Sequence, residues 1–417
     1  MMPALAQRDR RYRVAIVAAC PFPTLQGSQL LIRKLAEGLR SRGHETVVVT
    51  YGGLEGRSQS PLRRIGRRLG FRAFGSGPRA VKLVLDAALL FRLLDVIARE
   101  SIDVMHAHNY EAALIGLAAR RLTGVPLIYH SHNALAEELP SYFRGRTARR
   151  VARALGALAD HEVPRRADHC IAICRELVGF LRARGVGADA IEMIAPGGSP
   201  EEFPHCSLAD AATIRARFGF GERPLLLYTG NLDGYQNLEM LLASIAIVRR
   251  TIGDALLVLA THATPRDVPP VLRRLPPAVR IVTASDFTTV RDLIQVADLA
   301  LCPRQAWSGF PMKLLNYMAA AKAVVVSAGS AKAVRHGRNG VVVEEDGPEA
   351  YAAAIIALLA DPARRRRLGA AARRTVEDEY GWGRVVDQVE ATYHTVVRRR
   401  AVPAAASARQ PLGILEV

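Results

Sequence analysis

The stretch RVAIVAACPFPTLQGSQLLIRKLAEGLRSRGHETVVVT (Arg13–Thr50) sets the fold class. An apolar run, Arg13–Ala19, ends in a Pro-containing turn. Leu30, Leu31, Leu35 and Leu39 then recur at helical spacing, which predicts a helix over about Ser28–Arg42. The RGH turn feeds a second apolar strand, Thr46–Thr50. Strand, helix and strand in this order form a βαβ unit of a parallel sheet. The same alternation continues outward. A helix at Ala80–Glu100 leads to IDVMHAH, and a helix at Glu111–Leu122 leads to VPLIYHSHN. ADHCIAIC and IEMIAPGG are further strands. After a linker near Pro196–Gly221 the pattern restarts with five short apolar strands, PLLLYTGNL, ALLVLATHA, VRIVTAS, DLALCP and AVVVSAG.

The expected architecture is α/β, with two Rossmann-like doubly wound domains facing across a cleft. The expected boundaries are a flexible N-terminus at 1–12 and a first domain at 13–203. A second domain follows at 204–380, then a C-terminal helix at 381–400 packing back on the first domain, and a disordered tail at 401–417. The 417 residues fit two domains. Half the residues are hydrophobic and 23% are charged, which excludes a mostly disordered chain. The most apolar segment, around residues 80–98, is broken by Lys82, Asp86, Arg92 and Asp95. The N-terminus lacks the apolar stretch of a secretory signal, so the expected location is cytoplasmic. Five cysteines without CxxC spacing indicate neither a disulfide framework nor a zinc site.

The net charge of +18 points to an anionic partner. No basic–aromatic platform supports specific nucleic-acid binding. Gly56–Arg79 has no acidic residue and reads as a long basic loop. Within it, Arg57–Arg79 interleaves arginines with apolar residues and is a candidate contact with an anionic membrane surface. The chain would then sit peripherally on the inner face of the cytoplasmic membrane.

In an open parallel sheet, ligands bind beyond the carboxyl ends of the strands. Read there, several segments together resemble the retaining, group-one (family four) glycosyltransferases of GT-B fold. They are LLYTGNLDGYQNLEMLLAS (226–244), SGFPMKLLNYMAAAKAVVVS (308–327), VRHGRNGVVVEEDGPEA (334–350) and LGAAARRTVEDEYGWGRVVDQVEATY (368–393). The resemblance covers about Arg13–Arg398. It implies transfer of a hexose or N-acetylhexosamine from a UDP- or GDP-sugar to a hydroxyl. It also implies retention at the anomeric carbon and no metal or cofactor, the nucleotide sugar being a substrate. The acceptor would be a glycan, a lipid-linked intermediate or a small molecule of envelope glycan or glycolipid synthesis.

The same resemblance implies the site residues. Gly27, Gly230, Asn231, Gln236, Arg304, Ser308, Gly309, Phe310, Pro311 and Asn316 fall at donor-binding positions. The Gly-containing turn at Ser308–Pro311 opens a helix, whose free N–H groups and positive end suit an anion. His130, preferred over His132, would hydrogen-bond the donor sugar, and Lys313 would face the developing charge. Ser28, His108, Glu111, His132 and Glu138 fall on the acceptor side. Four departures stand out. The family places carboxylates where Ser308 and Asn316 stand, and cations where Asn231 and Gln236 stand. Lys313 and Arg304 are candidate replacement cations. The alternative expectation is a catalytically degenerate GT-B protein that acts as a binding or regulatory partner.

Overall fold

The structure is a computed structural model that describes residues 10–20, 22, 27–51, 62–64, 80–263, 268–269, 272 and 275–401. The first half contains β1 (Arg13–Ala18), α1 (Gly27–Ser41), β2 (Glu45–Thr50), β3 (Leu62–Arg64), α2 (Ala80–Glu100), β4 (Val104–His108) and α3 (Asn109–Thr123). It continues with β5 (Leu127–Ser131), α4 (Leu135–Glu138), α5 (Arg146–Arg166), β6 (His169–Ala172), α6 (Arg175–Arg182) and β7 (Ile191–Met193). The second half contains α7 (Leu208–Phe218), β8 (Leu225–Thr229), α8 (Leu238–Thr251), β9 (Leu256–Thr261), β10 (Val279–Thr283), α9 (Phe287–Val296) and β11 (Leu299–Cys302). It closes with α10 (Met312–Ala319), β12 (Val324–Ser327), β13 (Val341–Val343), α11 (Pro348–Ala360), α12 (Pro362–Glu379) and α13 (Trp382–Ala401).

Two parallel sheets result. The first has the order β3-β2-β1-β4-β5-β6-β7 and the second β10-β9-β8-β11-β12-β13. Strand residues alternate between the two faces of a sheet. In the first sheet Ala15, Val17, Met105 and Tyr129 face α2, α3 and α6. Val14, Ile16, Val104 and Ile128 face α1 and α13. Both faces are buried, so the strands read as continuous apolar runs.

α13 crosses back from the second half to the first sheet. Val385, Val386, Val389, Tyr393 and Val396 bury against α1 and the sheet. At about 1.5–3 kcal/mol per fully buried large side chain, this anchor is substantial. Where α13 begins, the chain passes beside the link between the sheets: Gly198 N–H donates to the Tyr380 carbonyl at 2.8 Å. A Cβ on Gly197 would lie 2.6 Å from Cδ2 of Trp382, so only glycine allows this approach.

Three expectations are corrected. Tyr12, assigned to the flexible N-terminus, is buried, stacks on His44 and hydrogen-bonds His394 through its hydroxyl. Within the basic loop, Leu62–Arg64 is a strand paired with β2. The second sheet has a sixth strand, Val341–Val343, at its edge. Residues 1–9, the tail 402–417 and most of Arg57–Arg79 lie outside the described residues.

The crossing predicts a specific sensitivity. Gly197→Ala, which forces a methyl into the Trp382 ring, should lower unfolding stability by about 1–3 kcal/mol. Urea unfolding of the two proteins measures it; unchanged stability would mean that α13 is not clamped at this point.

Candidate active site

A cavity of about 580 Å³ lies between the carboxyl ends of the two sheets. From the first half it is lined by Ser28 and Gln29 of α1, Lys82 of α2, the segment Asn109–Glu111, His132, Asn133, and Glu138 with Tyr142. From the second half it is lined by Gly230, Asn231, Tyr235, Gln236, Arg304 and the segment Ser308–Lys313, with Asn316. Every donor-side candidate except Gly27, which opens α1 beside Ser28, thus lines one cavity.

The turn after β8 is a chain of polar contacts that ends on Lys313. Gly230 has φ +126, and a Cβ there would meet the Lys313 Nζ at 3.1 Å. The ammonium sits 3.7 Å above the Tyr228 ring centroid and donates to Gln236 Oε1 at 3.2 Å. Gln236 Nε2 donates to Asn231 Oδ1 at 2.7 Å. Asn231 Nδ2 donates to the Asp233 carboxylate at 2.8 Å and to the Tyr235 hydroxyl at 2.7 Å. Burial lowers the Lys313 pKa to about 7, the nearby Arg304 adding to the effect. Burial raises that of Asp233. Asn231 and Gln236 therefore act as spacers that orient an ammonium supplied by α10.

Pro311 precedes α10, which has no side-chain cap, so the first N–H groups of the helix are left for a ligand. The turn before it is held by Arg304, whose guanidinium donates to the Ser308 carbonyl and lies over the Tyr235 ring. Gly309 has φ +86, with the His132 carbonyl 3.0 Å from its Cβ position. This contact brings the two halves together at the floor of the cavity. Among the described residues, the Asn316 side chain has no internal hydrogen bond, which leaves it for a ligand hydroxyl.

On the acceptor side Glu111 is held by Lys82, whose Nζ donates to both carboxylate oxygens at 2.7 and 2.8 Å. Glu138 accepts from the Tyr142 hydroxyl at 2.6 Å, and burial raises its pKa. Asp160 fixes the segment that carries it by accepting from the N–H groups of Leu135 and Ala136 at 2.9 and 2.8 Å.

The histidine preference is reversed. His132, just past β5, lines the cavity; His130 does not. His108 does not line it either. The reason is strand parity. His106, His108, His130 and His132 all point to the sheet face that α1 and α13 cover, and β4 pairs with β5 so that His108 lies opposite His130. Only His132 lies beyond the covered face. The others form a buried stack: His106 and His108 at 4.6 Å, His106 and His130 at 5.1 Å between ring centroids. His106 is tied to the Tyr393 hydroxyl at 2.7 Å and to His130 at 3.0 Å, and His108 to His132 at 3.0 Å. Nitrogens of His106, His108 and His130 lie within 4.8 Å of one another, but away from the cavity wall. Burial depresses all four, to about 3 for His106 and about 4 for His132, so they are neutral near pH 7.

Sequence reasoning missed Tyr235, Tyr142, Lys82, Asn133 and Asp233. Tyr235 and Asp233 stand in the loop directly after β8, where position alone marks them. Lys82 and Tyr142 carry no such mark.

Two parallel sheets with a cationic, helix-capped seat between them are the architecture of a GT-B transferase. The comparisons narrow this further. Residues 26–197 match the family model for the glycosyl transferase 4-like domain, and residues 223–361 that for glycosyl transferases group 1. The D-inositol 3-phosphate glycosyltransferase of Geodermatophilus obscurus is 30% identical over 75% of this chain and 70% of its own. The phosphatidyl-myo-inositol mannosyltransferase of Mycobacterium tuberculosis is 24% identical over 92% of this chain and 97% of its own. In fold, the chain resembles sucrose-phosphate synthase from Thermosynechococcus elongatus (TM-score 0.79, 20% identity, 93% of this chain and all of that one). It also resembles Anabaena HepE solved with UDP and glucose (TM-score 0.74, 16% identity, 92% of this chain and all of that one). The chain belongs to the group 1 glycosyltransferases, enzymes that transfer a sugar from a nucleotide-sugar donor.

The buried imidazoles carry a pH prediction. Their folded pKa values lie below the unfolded value of about 6.5, so the unfolded chain takes up more protons as pH falls. Stability should be full above pH 7 and drop by about 2 kcal/mol per histidine on going to pH 5. Denaturant unfolding across this range measures the slope, and His130→Leu should make it shallower. A slope equal to wild type in that variant would contradict the assignment.

Proposed function

We propose that the enzyme moves a hexose or N-acetylhexosamine, with retention, from a UDP- or GDP-sugar to a hydroxyl in envelope glycan or glycolipid synthesis. The observation that carries this reading is the Lys313 ammonium at the mouth of β8, beside the uncapped start of α10. The diphosphate of the donor would lie there, between one cation and a set of backbone N–H groups. Charge that develops on the leaving diphosphate is stabilised by groups already oriented. The acceptor oxygen bonds to the anomeric carbon as the sugar–phosphate bond breaks, and the acceptor proton passes to the departing diphosphate. His132 and Asn133 face the sugar, and Asn316 takes the place of the missing carboxylate toward the ribose. No cofactor enters, and positive charge comes from the chain itself.

Arg304 also lines the cavity, where it braces the Ser308 turn. Ser28, Glu111 and Glu138 border the acceptor half. Burial raises the pKa of both carboxyls; Glu111 is held by Lys82 and Glu138 by Tyr142, which leaves them to orient the acceptor. A relative named for the lipid phosphatidyl-myo-inositol supports work at the inner face of the cytoplasmic membrane; one named for D-inositol 3-phosphate points to a soluble acceptor. The absent carboxylates motivate the second reading, a degenerate transferase that only binds partners.

Thermal shift against UDP-, GDP-, ADP- and TDP-sugars, followed by product analysis, separates the two. One donor should stabilise the fold and be turned over. Lys313→Ala should lower kcat/KM by about 10²–10³-fold. No shift and no turnover with any donor would favour the degenerate reading.

The pH profile gives an independent check. Lys313 is charged below its pKa of about 7 and loses its proton above it. Donor affinity should therefore weaken above pH 7, by up to about tenfold per unit, and Lys313→Arg should flatten the profile. Calorimetric titration of the donor from pH 6 to pH 9 reads it; equal affinity throughout would remove Lys313 from the diphosphate seat.

A further inference from the structure

His108 closes β4 and stands at the N-cap of α3, with φ −96 and ψ 125. A side chain at that position commonly accepts a hydrogen bond from the first turn of its helix. His108 makes no such cap bond. Asn109 follows it at φ +67, and the His108 imidazole turns across to β5 instead. There its Nδ1 lies 3.0 Å from Nε2 of His132. Sequence and register bring this about. The HAH of β4 and the HSH at the end of β5 each put alternate histidines on one face. His108 pairs opposite His130, so His132 lies two residues further along that same face.

Among the described residues this is the only side-chain hydrogen bond of His108. The ring is held for it. It stacks on His106 at 4.6 Å and lies 4.8 Å from His130, while His132 meets it edge-on at 5.2 Å and 81°. His108 is 1% exposed, and its Nε2 is buried without a partner. His132, in contrast, lines the cavity. With its Nε2 turned to His108, Nδ1 is the nitrogen left for the cavity.

Both imidazoles are neutral near pH 7, because burial lowers their pKa values. A neutral imidazole has one N–H and one lone pair. The bond between the two rings therefore has two arrangements, and hydrogen-bond accounting chooses between them. With the proton on Nε2 of His132, His108 would bury an N–H at its own Nε2 with nothing to accept it. With the proton on Nδ1 of His108, the buried Nε2 is a bare lone pair. Orphaned buried N–H groups are rarer than under-used acceptors. The second arrangement leaves the His132 proton on Nδ1.

We propose that His108 is a positioning residue: its Nδ1–H donates to Nε2 of His132, which fixes the His132 proton on Nδ1 and holds that N–H toward the cavity as a donor to a hydroxyl oxygen of the donor sugar. The contact with the sugar rests on the transferase reading above; the tautomer does not. A donor fixed in this way is oriented before the sugar arrives, and no reorganisation is needed during transfer. His108 itself touches no substrate and moves no proton.

Two variants separate positioning from packing. His108→Phe keeps a ring in the stack and removes the N–H. His108→Asn loses the ring but offers an amide N–H close to the place of Nδ1. Nitrogen NMR of the full chain, labelled at histidine and recorded near pH 7, reads which ring nitrogen is protonated. The His132 signals are identified by their loss in His132→Gln. Wild type should show the proton on Nδ1 of His132 and a bare Nε2. His108→Phe should lose that fixed pattern and lower kcat/KM for the donor by about tenfold or more, through kcat. His108→Asn should keep the pattern and recover most of the activity, although it removes more packing. A wild-type proton on Nε2 of His132 would overturn the proposal, whether or not the variants fold. So would a His108→Phe protein with the wild-type pattern and turnover, or a folded His108→Asn protein no more active than His108→Phe. A wild type that turns over no donor would count against the transferase reading, and its spectrum would still decide the tautomer.

Discussion

The proposed diphosphate seat depends on one buried ammonium, that of Lys313, held beside the uncapped start of α10. Lys313 rises from the first turn of α10, passes over the Tyr228 ring and reaches Gln236. Its place depends on Gly230 having no side chain, on the Gln236–Asn231 pair, and on a helix that begins without a cap. The cost of holding an ammonium out of water is visible in its depressed pKa. A diphosphate bound as proposed would offset that cost, so the feature that destabilises the free cation would favour the occupied site.

This arrangement gives physical content to the family departures. Replacing two cations by Asn231 and Gln236 looks like loss when each position is read alone. In three dimensions the two amides form a line that ends on Lys313. The charge has moved from the loop after β8 to the helix opposite. Ser308 follows the same logic, because its carbonyl is the anchor of Arg304 and its side chain is buried. Two of the four changed positions, Asn231 and Gln236, touch each other, and together they lead to Lys313.

Most of the architecture was legible because both sheets are buried on both faces, which makes their strands plain apolar runs. Val341–Val343 escaped because three residues after an Asn-Gly turn carry too little pattern to separate a strand from a turn. Tyr12 escaped because its partners, His44 and His394, are distant in sequence. The candidates read where the chain leaves a strand come together: Gly230, Asn231, Gln236, Ser308–Lys313 and Asn316 line one cavity. It was misread at the histidines, where the identity of the residues was right and the parity decided the outcome. Counting along β5 in steps of two puts His130 under α13 and leaves His132 at the rim. Lys82 reaches the cavity from α2 and Tyr142 from the turn just before α5, through tertiary packing that no local pattern encodes.

The central claim is that the Lys313 ammonium is the seat of the donor diphosphate. Its most direct test is the number of protons taken up when the transferred donor binds at pH 7.5, from calorimetry in buffers of different ionisation enthalpy. With a free pKa of about 7, binding should draw in a sizeable fraction of one proton, and Lys313→Arg should bind with none. Tight binding without proton uptake in wild type, or the same uptake in the arginine variant, would contradict the account.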